Sequence, residues 1–284
     1  MSLPRRSLLS LLSLLLPPLT AAVSLAGLSL APLPAQGQTA ADKKELVIGA
    51  TAGSNLEVLR LGIKPLLEQK GYRVKLVEFN DYVQPNIALA QGALDANFFQ
   101  HTIYLNRFRQ DRQLDLVEVV QGPMAPFGIY SKKRKSLAEV RTGDRITLAN
   151  DPANLAHGLA LLADQKLLTL KPGADPIRVT EKDIASNPYQ LKLQPIEAAQ
   201  IPRTLDDVDY AIVNGNFAIS SGLKLTDALV LEKTPDHYLL VVAVQGKDKD
   251  ARWTRDIAQA FHAPAFKAVL DKHFPGYSRP DFLR

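Results

Sequence analysis

Aromatic and amide side chains are concentrated between Glu78 and Leu105. The aromatic and histidine residues there are Tyr82, Phe98, Phe99, His101 and Tyr104, and the amides are Asn80, Asn86, Asn97 and Gln100. Apolar walls with a few polar groups are typical of a small-molecule binding site. Phenylalanines are usually buried, so Phe98 or Phe99 alone would indicate only a hydrophobic core. The amides favour a site, because a buried amide requires hydrogen-bond partners.

Other classes of site find less support. The histidines, which show no close ligand spacing, are His101, His157, His237, His262 and His273. A metal-binding solute protein is the alternative only if His101 and His157 converge across a cleft. The sequence has no G-x-S-x-G elbow, no H-E-x-x-H motif and no cysteine nucleophile, so we expect neither an enzyme nor a cofactor. Gly49 and Gly53 resemble a phosphate loop without its lysine, and we interpret them as a tight turn whose following helix faces the cleft.

The elements that must position these residues alternate between strands and helices. The predicted strands are Glu45–Ala50, Arg73–Phe79, Ala96–Phe99, Leu116–Val120, Phe127–Ser131, Arg145–Leu148, Val208–Asn214 and His237–Val244. The predicted helices are Ser54–Lys70, Pro85–Gln91, Leu155–Lys166, one through Trp253, Ile257 and Phe261, and Pro264–His273. Such alternation is typical of α/β architecture with largely parallel sheets.

Local signals mark the ends of two predicted helices. Ser54 and Glu57 have the spacing of a capping box. Pro65 is expected to bend this first helix, and Gly71 to end it. Asp151 and Asn154 are both candidates for the cap of the helix that follows them.

Length and composition indicate a globular protein with two lobes or domains. The chain has 284 residues, 46% of them hydrophobic and 22% charged, and a chain of this length buries a substantial core. The formal charge of +5 falls to +3 without Arg5 and Arg6, the charged residues that precede Asp42. This charge is too low to indicate nucleic-acid binding. The basic run Lys132–Lys135 is interpreted as a solvated connection.

The N-terminus has the pattern of an export signal. Arg5 and Arg6 precede the apolar run Leu8–Leu16, so residues 1–41 are predicted to be a signal peptide. The paired arginines also resemble a twin-arginine signal. The alternative is an uncleaved membrane helix, since the uncharged stretch exceeds the ~18 residues that span a bilayer. We therefore predict a periplasmic protein, tethered to the membrane if the signal is retained.

Several segments, in order, resemble the methionine-binding lipoproteins (NlpA family), which are solute-binding proteins of ABC importers. These segments are FNDYVQPN (79–86), LDANFFQH (94–101), YSKK (130–133), NDPANL (150–155), EAAQIPRTLDDVDYAIVNGNFA (197–218) and Gly222-Leu223. The resemblance runs from about Glu45 to the C-terminus. The chain contains no cysteine, so it lacks the residue that carries the lipid anchor in most of that family.

The resemblance implies a two-lobed periplasmic-binding-protein fold, type II-like, with the ligand cleft between lobes that close by hinge motion. One lobe would combine residues 45–127 with 233–284, and the other would hold residues 128–232. The implied function is capture of methionine or a related small amino-acid-like ligand. The implied partner is an ABC permease with a separate ATPase subunit, and we expect a monomer that binds no nucleic acid. A paralogue without a transport role is an alternative.

The resemblance also implies roles for individual residues. Residues that would surround the ligand side chain are Tyr82, Phe99, His101 and Tyr104. Residues that would hold the α-amino and α-carboxylate groups are Asn154 and Asn214. An aromatic wall suits a thioether, because each sulfur–aromatic contact contributes ~0.3–1.5 kcal/mol.

Two positions depart from the family pattern at the ligand head group. His157 stands where the family has an arginine that pairs with the ligand carboxylate, and Leu240 stands where it has an asparagine. A histidine lacks the bidentate fork and the permanent charge, so we expect an apolar ligand side chain with an altered head group. If His157 holds a carboxylate as an imidazolium, affinity is expected to fall above about pH 6.5. By itself, His157 is equally well interpreted as an exposed helix histidine, and Leu240 as drift in a non-binding paralogue.

Overall fold

Strands and helices alternate along residues 43–284, the part of the chain that the computed structural model describes. The strands are β1 (Glu45–Thr51), β2 (Arg73–Phe79), β3 (Ala96–His101), β4 (Leu116–Gly122), β5 (Gly128–Tyr130), β6 (Arg145–Ala149), β7 (Thr169–Leu170), β8 (Ile184–Ser186), β9 (Lys192–Ile196), β10 (Tyr210–Val213), β11 (Val230–Leu231) and β12 (Leu240–Gln245). The α-helices are α1 (Ser54–Val58), α2 (Lys64–Gln69), α3 (Gln84–Ala90), α4 (Thr102–Arg112), α5 (Pro152–Asp164), α6 (Gly215–Ser220), α7 (Arg252–Phe261) and α8 (Pro264–His273). Short 3-10 turns are Leu137–Glu139, Glu181–Asp183, Ala198–Thr204, Leu225–Asp227, Asp236–Tyr238, Gly246–Asp248 and Asp281–Leu283.

The strands form two five-stranded sheets and one small hairpin of β7 and β8. Sheet I has the order β2-β1-β3-β12-β4, and sheet II has the order β11-β5-β10-β6-β9. The prediction of largely parallel sheets is wrong, since both sheets are mixed. In sheet I, β12 runs antiparallel to β3 and β4, and in sheet II, β5 runs antiparallel to β10 and β11. The remaining pairs of neighbouring strands are parallel, because the connection between them crosses back so that both strands start at the same edge of the sheet.

The first helical stretch differs from its prediction in two details. A π-helical turn, Leu59–Ile63, separates α1 from α2 and lies just before Pro65, where a bend was expected. The predicted capping box is absent: Gly53 is the N-cap, with φ of 81°, and no side chain caps the helix. A Cβ at Gly53 would lie 2.8 Å from the Asn216 carbonyl oxygen, so the close approach of α6 requires a glycine there.

The side chains of neighbouring β3 residues point to opposite faces of sheet I, because side chains alternate along a strand. Phe98 is fully buried and packs on Phe261 of α7, with ring centroids 5.3 Å apart. Phe99 faces the other side. Phe98 therefore belongs to the hydrophobic core beneath α7, together with Trp253 and Ile257.

The amides of β3 and α3 bond mainly to one another. Asn86 and Gln100 exchange two side-chain hydrogen bonds of 2.7 Å, and Asn97 donates to Asn86 at 2.9 Å. All three are buried. This network ties α3 to β3 and fixes the end of the strand. Asn86 and Asn97 thus have a structural role, and they do not line the binding site that the amides of this segment suggested.

Two further predictions concern the exterior of the molecule. The basic run is exposed at Lys132, Lys133 and Lys135, as predicted for a solvated connection. Arg134 is the exception, because its side chain is only 13% exposed and bonds Asp144 at 2.8 Å. The predicted signal peptide, residues 1–41, lies outside the described residues. Within residues 43–284, no helix is long and apolar enough to cross a membrane.

Candidate functional site

A cavity lies between elements of sheet I and sheet II, with about 20 Å³ open to the centre of a water-sized sphere. This is room for about one or two water molecules, so a methionine-sized ligand would require the two sides to move apart. The cavity is lined by Asn55, Tyr82, Phe99, Gln100, His101, Tyr104, Met124, Ala125, Phe127, Asn154, Asn214, Asn216 and Leu240. The walls are therefore aromatic and aliphatic, with amides placed between them.

The cavity brings together all but one of the site residues predicted from the sequence. Those present are Tyr82, Phe99, His101, Tyr104, Asn154, Asn214 and Leu240. The exception is His157, which is buried outside the lining. That these residues bind a ligand remains a prediction.

The topology explains why residues so distant in sequence meet. His101 ends β3 and Asn55 follows β1 in sheet I. Asn154 follows β6 and Asn214 follows β10 in sheet II. The carboxyl ends of parallel strands share one edge of a sheet, which is where ligands bind in α/β folds. Leu240 completes the lining because it pairs with His101 at the start of β12.

Tyr82 is the centre of an aromatic cluster on one wall. Its ring centroid lies 5.9 Å from that of Phe99, 6.0 Å from Tyr104 and 4.9 Å from Phe217. The Tyr104 hydroxyl donates to the Tyr82 carbonyl oxygen at 2.8 Å, which fixes the loop that carries Tyr82. Burial raises the pKa of both phenols. Both hydroxyls are therefore neutral donors at physiological pH.

Hydrogen bonds join the two sides of the cavity. The Tyr82 hydroxyl donates to Asn216 Oδ1 at 2.6 Å, and Asn216 Nδ2 donates to Thr51 Oγ1 at 3.4 Å. The same hydroxyl of Thr51 accepts from Asn55 Nδ2 at 2.9 Å. These bonds connect the ends of sheet I strands to α6, which follows a sheet II strand.

A chain of polar groups on the sheet II side begins at Asp151. Asp151 is the N-cap of α5, accepting from the Asn154 backbone N–H at 3.0 Å and from Asn154 Nδ2 at 2.8 Å. Burial raises the pKa of Asp151, although the bonds from Asn154 oppose that rise. Asn154 Oδ1 accepts from Asn214 Nδ2 at 3.1 Å. Asn214 Oδ1 is then left buried, with no hydrogen-bond partner among the described residues.

His101 presents one free nitrogen to the cavity. Its Nδ1 accepts the Tyr104 backbone N–H at 3.1 Å and so caps α4. Burial lowers the pKa of His101 to about 3, assisted by the nearby His157 and opposed by Asn154. The ring is therefore neutral, and because Nδ1 is an acceptor, the proton is assigned to Nε2. Nε2 is buried and makes no hydrogen bond of normal geometry within the described chain, although the Asn154 side chain lies close enough to the ring to influence its pKa.

His157 belongs to a buried cluster with Glu232 beside the cavity, and its Nδ1 has no partner among the described residues. Its Nε2 lies 2.6 Å from Glu232 Oε2, and its ring is stacked between Tyr238 at 3.5 Å and Phe127 at 4.1 Å. Glu232 Oε1 also accepts from the Phe127 N–H at 3.0 Å and from the Thr234 hydroxyl at 2.8 Å. Burial would raise the pKa of Glu232, but His157 and these hydrogen bonds lower it below its usual value. The interpretation of His157 as an exposed helix residue is wrong, since it is 2% exposed.

His101 and His157, the candidate ligands of the alternative metal site, do approach each other, with ring centroids 6.3 Å apart. One nitrogen of each ring is already bonded, in His101 to the Tyr104 N–H and in His157 to Glu232. Within residues 43–284, no group of three or more His, Cys, Asp or Glu side chains is placed to hold a metal ion.

Several residues at the cavity were not singled out from the sequence. The connection from β4 to β5 supplies Met124, Ala125 and Phe127, for which the sequence holds no local signal. A Cβ at Gly215 would lie 2.3 Å from the Ala125 carbonyl oxygen, so glycine permits this close approach. Asn216 was detectable, because it stands two residues after Asn214 in the same polar turn.

Comparison with known proteins places this arrangement among solute-binding proteins. The family model described as NlpA lipoprotein matches residues 46–282. The D-methionine-binding lipoprotein MetQ of Salmonella typhi is 37% identical over 243 residues, covering 84% of this chain and 89% of that protein. A nutrient-binding protein from Burkholderia cenocepacia, solved bound to methionine, is 40% identical with a TM-score of 0.78, covering 82% of this chain and 99% of that one.

A second solved structure, the methionine-binding protein MetQ, is 34% identical with a TM-score of 0.79, covering 84% of this chain and 98% of that one. These similarities, together with the two sheets and the cavity between them, confirm the predicted α/β two-lobed fold with a cleft.

Proposed function

We propose that this chain, which belongs to the NlpA lipoprotein family, is the solute-binding protein of an ABC importer for methionine or a related small molecule with an apolar side chain. The observation that carries the proposal is the cavity, whose aromatic wall and unpartnered polar atoms lie at the strand ends of two sheets. The relatives that are named as methionine-binding proteins support this choice of ligand.

The proposed ligand places its apolar side chain against the aromatic cluster around Tyr82. Tyr82, Phe99 and Tyr104 offer ring faces and edges, and each sulfur–aromatic contact would contribute ~0.3–1.5 kcal/mol. Leu240 and Met124 extend the apolar surface. The polar end of the ligand meets His101 Nε2 and Asn214 Oδ1, which lack partners in the described protein.

Binding is proposed to proceed by closure of two lobes, residues 45–127 with 233–284 and residues 128–232. The bond from Tyr82 to Asn216 joins these lobes across the cavity and would break on opening. A ligand that contacts both sides binds the closed form preferentially and shifts the equilibrium toward it. The permease would then recognise the closed form, and ATP hydrolysis would belong to a separate subunit.

The protein is proposed to act as a monomer in the periplasm. The named lipoprotein relatives support an extracytoplasmic location.

Calorimetric titration of protein that has been unfolded, stripped of ligand and refolded tests this function. We expect one-to-one saturable binding of methionine or one of its thioether analogues. Phe99→Ala should weaken that binding at least about tenfold, because it removes part of the aromatic wall. Phe282→Ala is the matched control, since Phe282 is 40% exposed and lies outside the cavity lining. Absence of binding by every thioether compound, or equal effects of the two variants, would contradict the proposal.

A further inference from the structure

The cavity has no side chain that compensates a negative charge on a ligand. Among the described residues that line it, none is Lys, Arg, Asp or Glu. His101 is the only basic side chain in the lining, and burial lowers its pKa to about 3, so its ring is neutral. A buried carboxylate without a charged partner is strongly disfavoured, because its hydration is lost and nothing replaces it.

The side chain of His157, just outside the lining, is already paired with an acidic one. His157 is stacked beneath Phe127, which lines the cavity, and its Nε2 is 2.6 Å from the Glu232 carboxylate. Glu232 is itself held by the Phe127 N–H and the Thr234 hydroxyl. To reach His157 Nε2, a ligand carboxylate would have to displace the Glu232 carboxylate, which three hydrogen bonds fix in place. The other ring nitrogen, Nδ1, is buried and has no partner among the described residues. His157 and Glu232 together therefore supply no net positive charge.

Two of the helix N-termini at the cavity, those of α4 and α5, are also occupied. The N-termini of α1 and α6, which carry Asn55 and Asn216 of the lining, have no side-chain cap, but these helices have only five and six residues. Helix N-termini bind anions through free backbone N–H groups. In α4, the Tyr104 N–H donates to His101 Nδ1. In α5, the Asn154 N–H donates to the carboxylate of Asp151, which places a second acidic group directly behind the lining. An incoming carboxylate would thus meet acidic groups in the places where a positive partner is needed.

Two of the unpartnered buried atoms belong to residues of the lining, and they specify the complementary head group. Asn214 Oδ1 is an acceptor and requires a donor from the ligand. His101 Nε2–H is a donor and requires an acceptor. A buried polar atom that stays unpaired costs about 1–3 kcal/mol, so a ligand that satisfies both atoms is favoured over one that satisfies neither. An amide supplies the N–H and the carbonyl oxygen that these atoms require.

We infer, on the basis of the function proposed above, that this cavity selects ligands with an apolar or thioether side chain and no free carboxylate, and that the His157–Glu232 pair determines this specificity. An amide, or another head group with one donor and one acceptor, takes the place of the carboxylate. His157 acts as a positioning residue, because it reaches the cavity through Phe127 and not by direct contact.

Two matched pairs of probes test the ligand class. L-methioninamide is compared with L-methionine, and 3-(methylthio)propionamide with 3-(methylthio)propionate, by calorimetry on refolded, ligand-free protein. Within each pair the side chain is the same, so the thioether contacts cancel. The second pair has no amino group, so it tests the carboxylate without the net positive charge that the amide of the first pair carries. We expect the amide to bind at least about tenfold more tightly in both pairs.

A double variant tests the role of the ionic pair. His157→Arg with Glu232→Gln supplies a permanent charge and removes the competing anion, so the preference for the amide should shrink at least about tenfold or reverse. The control is the same exchange at two exposed positions, His273→Arg with Glu68→Gln, which should leave the preference unchanged. Because the two probe pairs are compared on the unaltered protein, they test the ligand class even if the double variant does not fold.

The outcomes separate the two proposals. If the carboxylate in each pair binds as tightly as the amide or more tightly, the inferred ligand class is overturned while the methionine-type function stands. If none of the probes binds to folded protein, the proposed function is overturned, and the inferred specificity with it. An unchanged preference in a folded double variant would overturn the assignment of specificity to His157 and Glu232.

Discussion

Removal of the Glu232 carboxylate should destabilise the protein more than its burial area alone would suggest. Glu232 has a side chain 4% exposed and pairs with a His157 side chain that is 3% exposed. It also accepts hydrogen bonds from Phe127 and Thr234. In Glu232→Ala these donors remain buried without an acceptor, and breaking a buried pair of this kind costs about 3–5 kcal/mol of unfolding free energy.

Glu232→Gln is the matched variant. The amide oxygen still accepts from the Phe127 N–H and the Thr234 hydroxyl, while its NH₂ group donates to an unprotonated His157 Nε2. We therefore expect a loss of only about 1 kcal/mol. Both variants are measured by urea denaturation. A double-mutant cycle of the native protein, Glu232→Ala, His157→Ala and the double alanine variant then measures the coupling between the two residues.

The contribution of Glu232 to the unfolding free energy should depend on pH. The pKa of Glu232 is lowered in the folded protein, so its contribution to stability is present above the pKa of the unfolded carboxyl group. That contribution disappears as pH falls through the lower pKa of the folded state. The stability difference between the native protein and Glu232→Gln should therefore narrow in acid. A Glu232→Ala loss below about 1 kcal/mol, or additive effects in the cycle, would refute this view of the cluster.

Three further predictions concern the cavity. Tyr82→Phe removes the 2.6 Å bond to Asn216 and should weaken ligand binding about three- to tenfold by calorimetry; unchanged affinity would show that this bond does not favour closure. Asp151→Ala removes the α5 cap and should lower the unfolding free energy by about 1 kcal/mol in urea, whereas Asp151→Asn, which still caps, should lose less. Ligand affinity should stay constant from about pH 5.5 to about pH 8, because the pKa of His101 is about 3; a fall above about pH 6.5 would mean that an imidazolium holds the ligand.

The regular elements were largely predictable where apolar periodicity was strong. The strands next to the cavity and helices α7 and α8 occur close to their predicted positions. Helix α4 was missed, because Thr102–Arg112 is mostly polar and buries only Tyr104, Leu105 and Phe108. Strand β9 was missed because it contains Pro195, which is tolerated there since β9 is at the edge of sheet II.

The cavity was predictable in its residue types but not in its ionic surroundings. The segment around Tyr82 and His101 already combined aromatic and polar groups over a short stretch of chain, so proximity in space followed from proximity in sequence. The partner of His157 lies 75 residues away, at Glu232. No local pattern marks such a pair, because the contact arises only when the chain returns between the two sheets.

Native mass spectrometry of protein purified from the periplasm, followed by release and identification of any bound molecule, tests the central claim most directly. The account predicts a one-to-one complex with a small thioether or other apolar compound, released on unfolding and less abundant in Phe99→Ala. A bound metal ion, a sugar or another ligand without an apolar side chain would contradict it. An empty protein that also takes up no added methionine or methioninamide would contradict it equally.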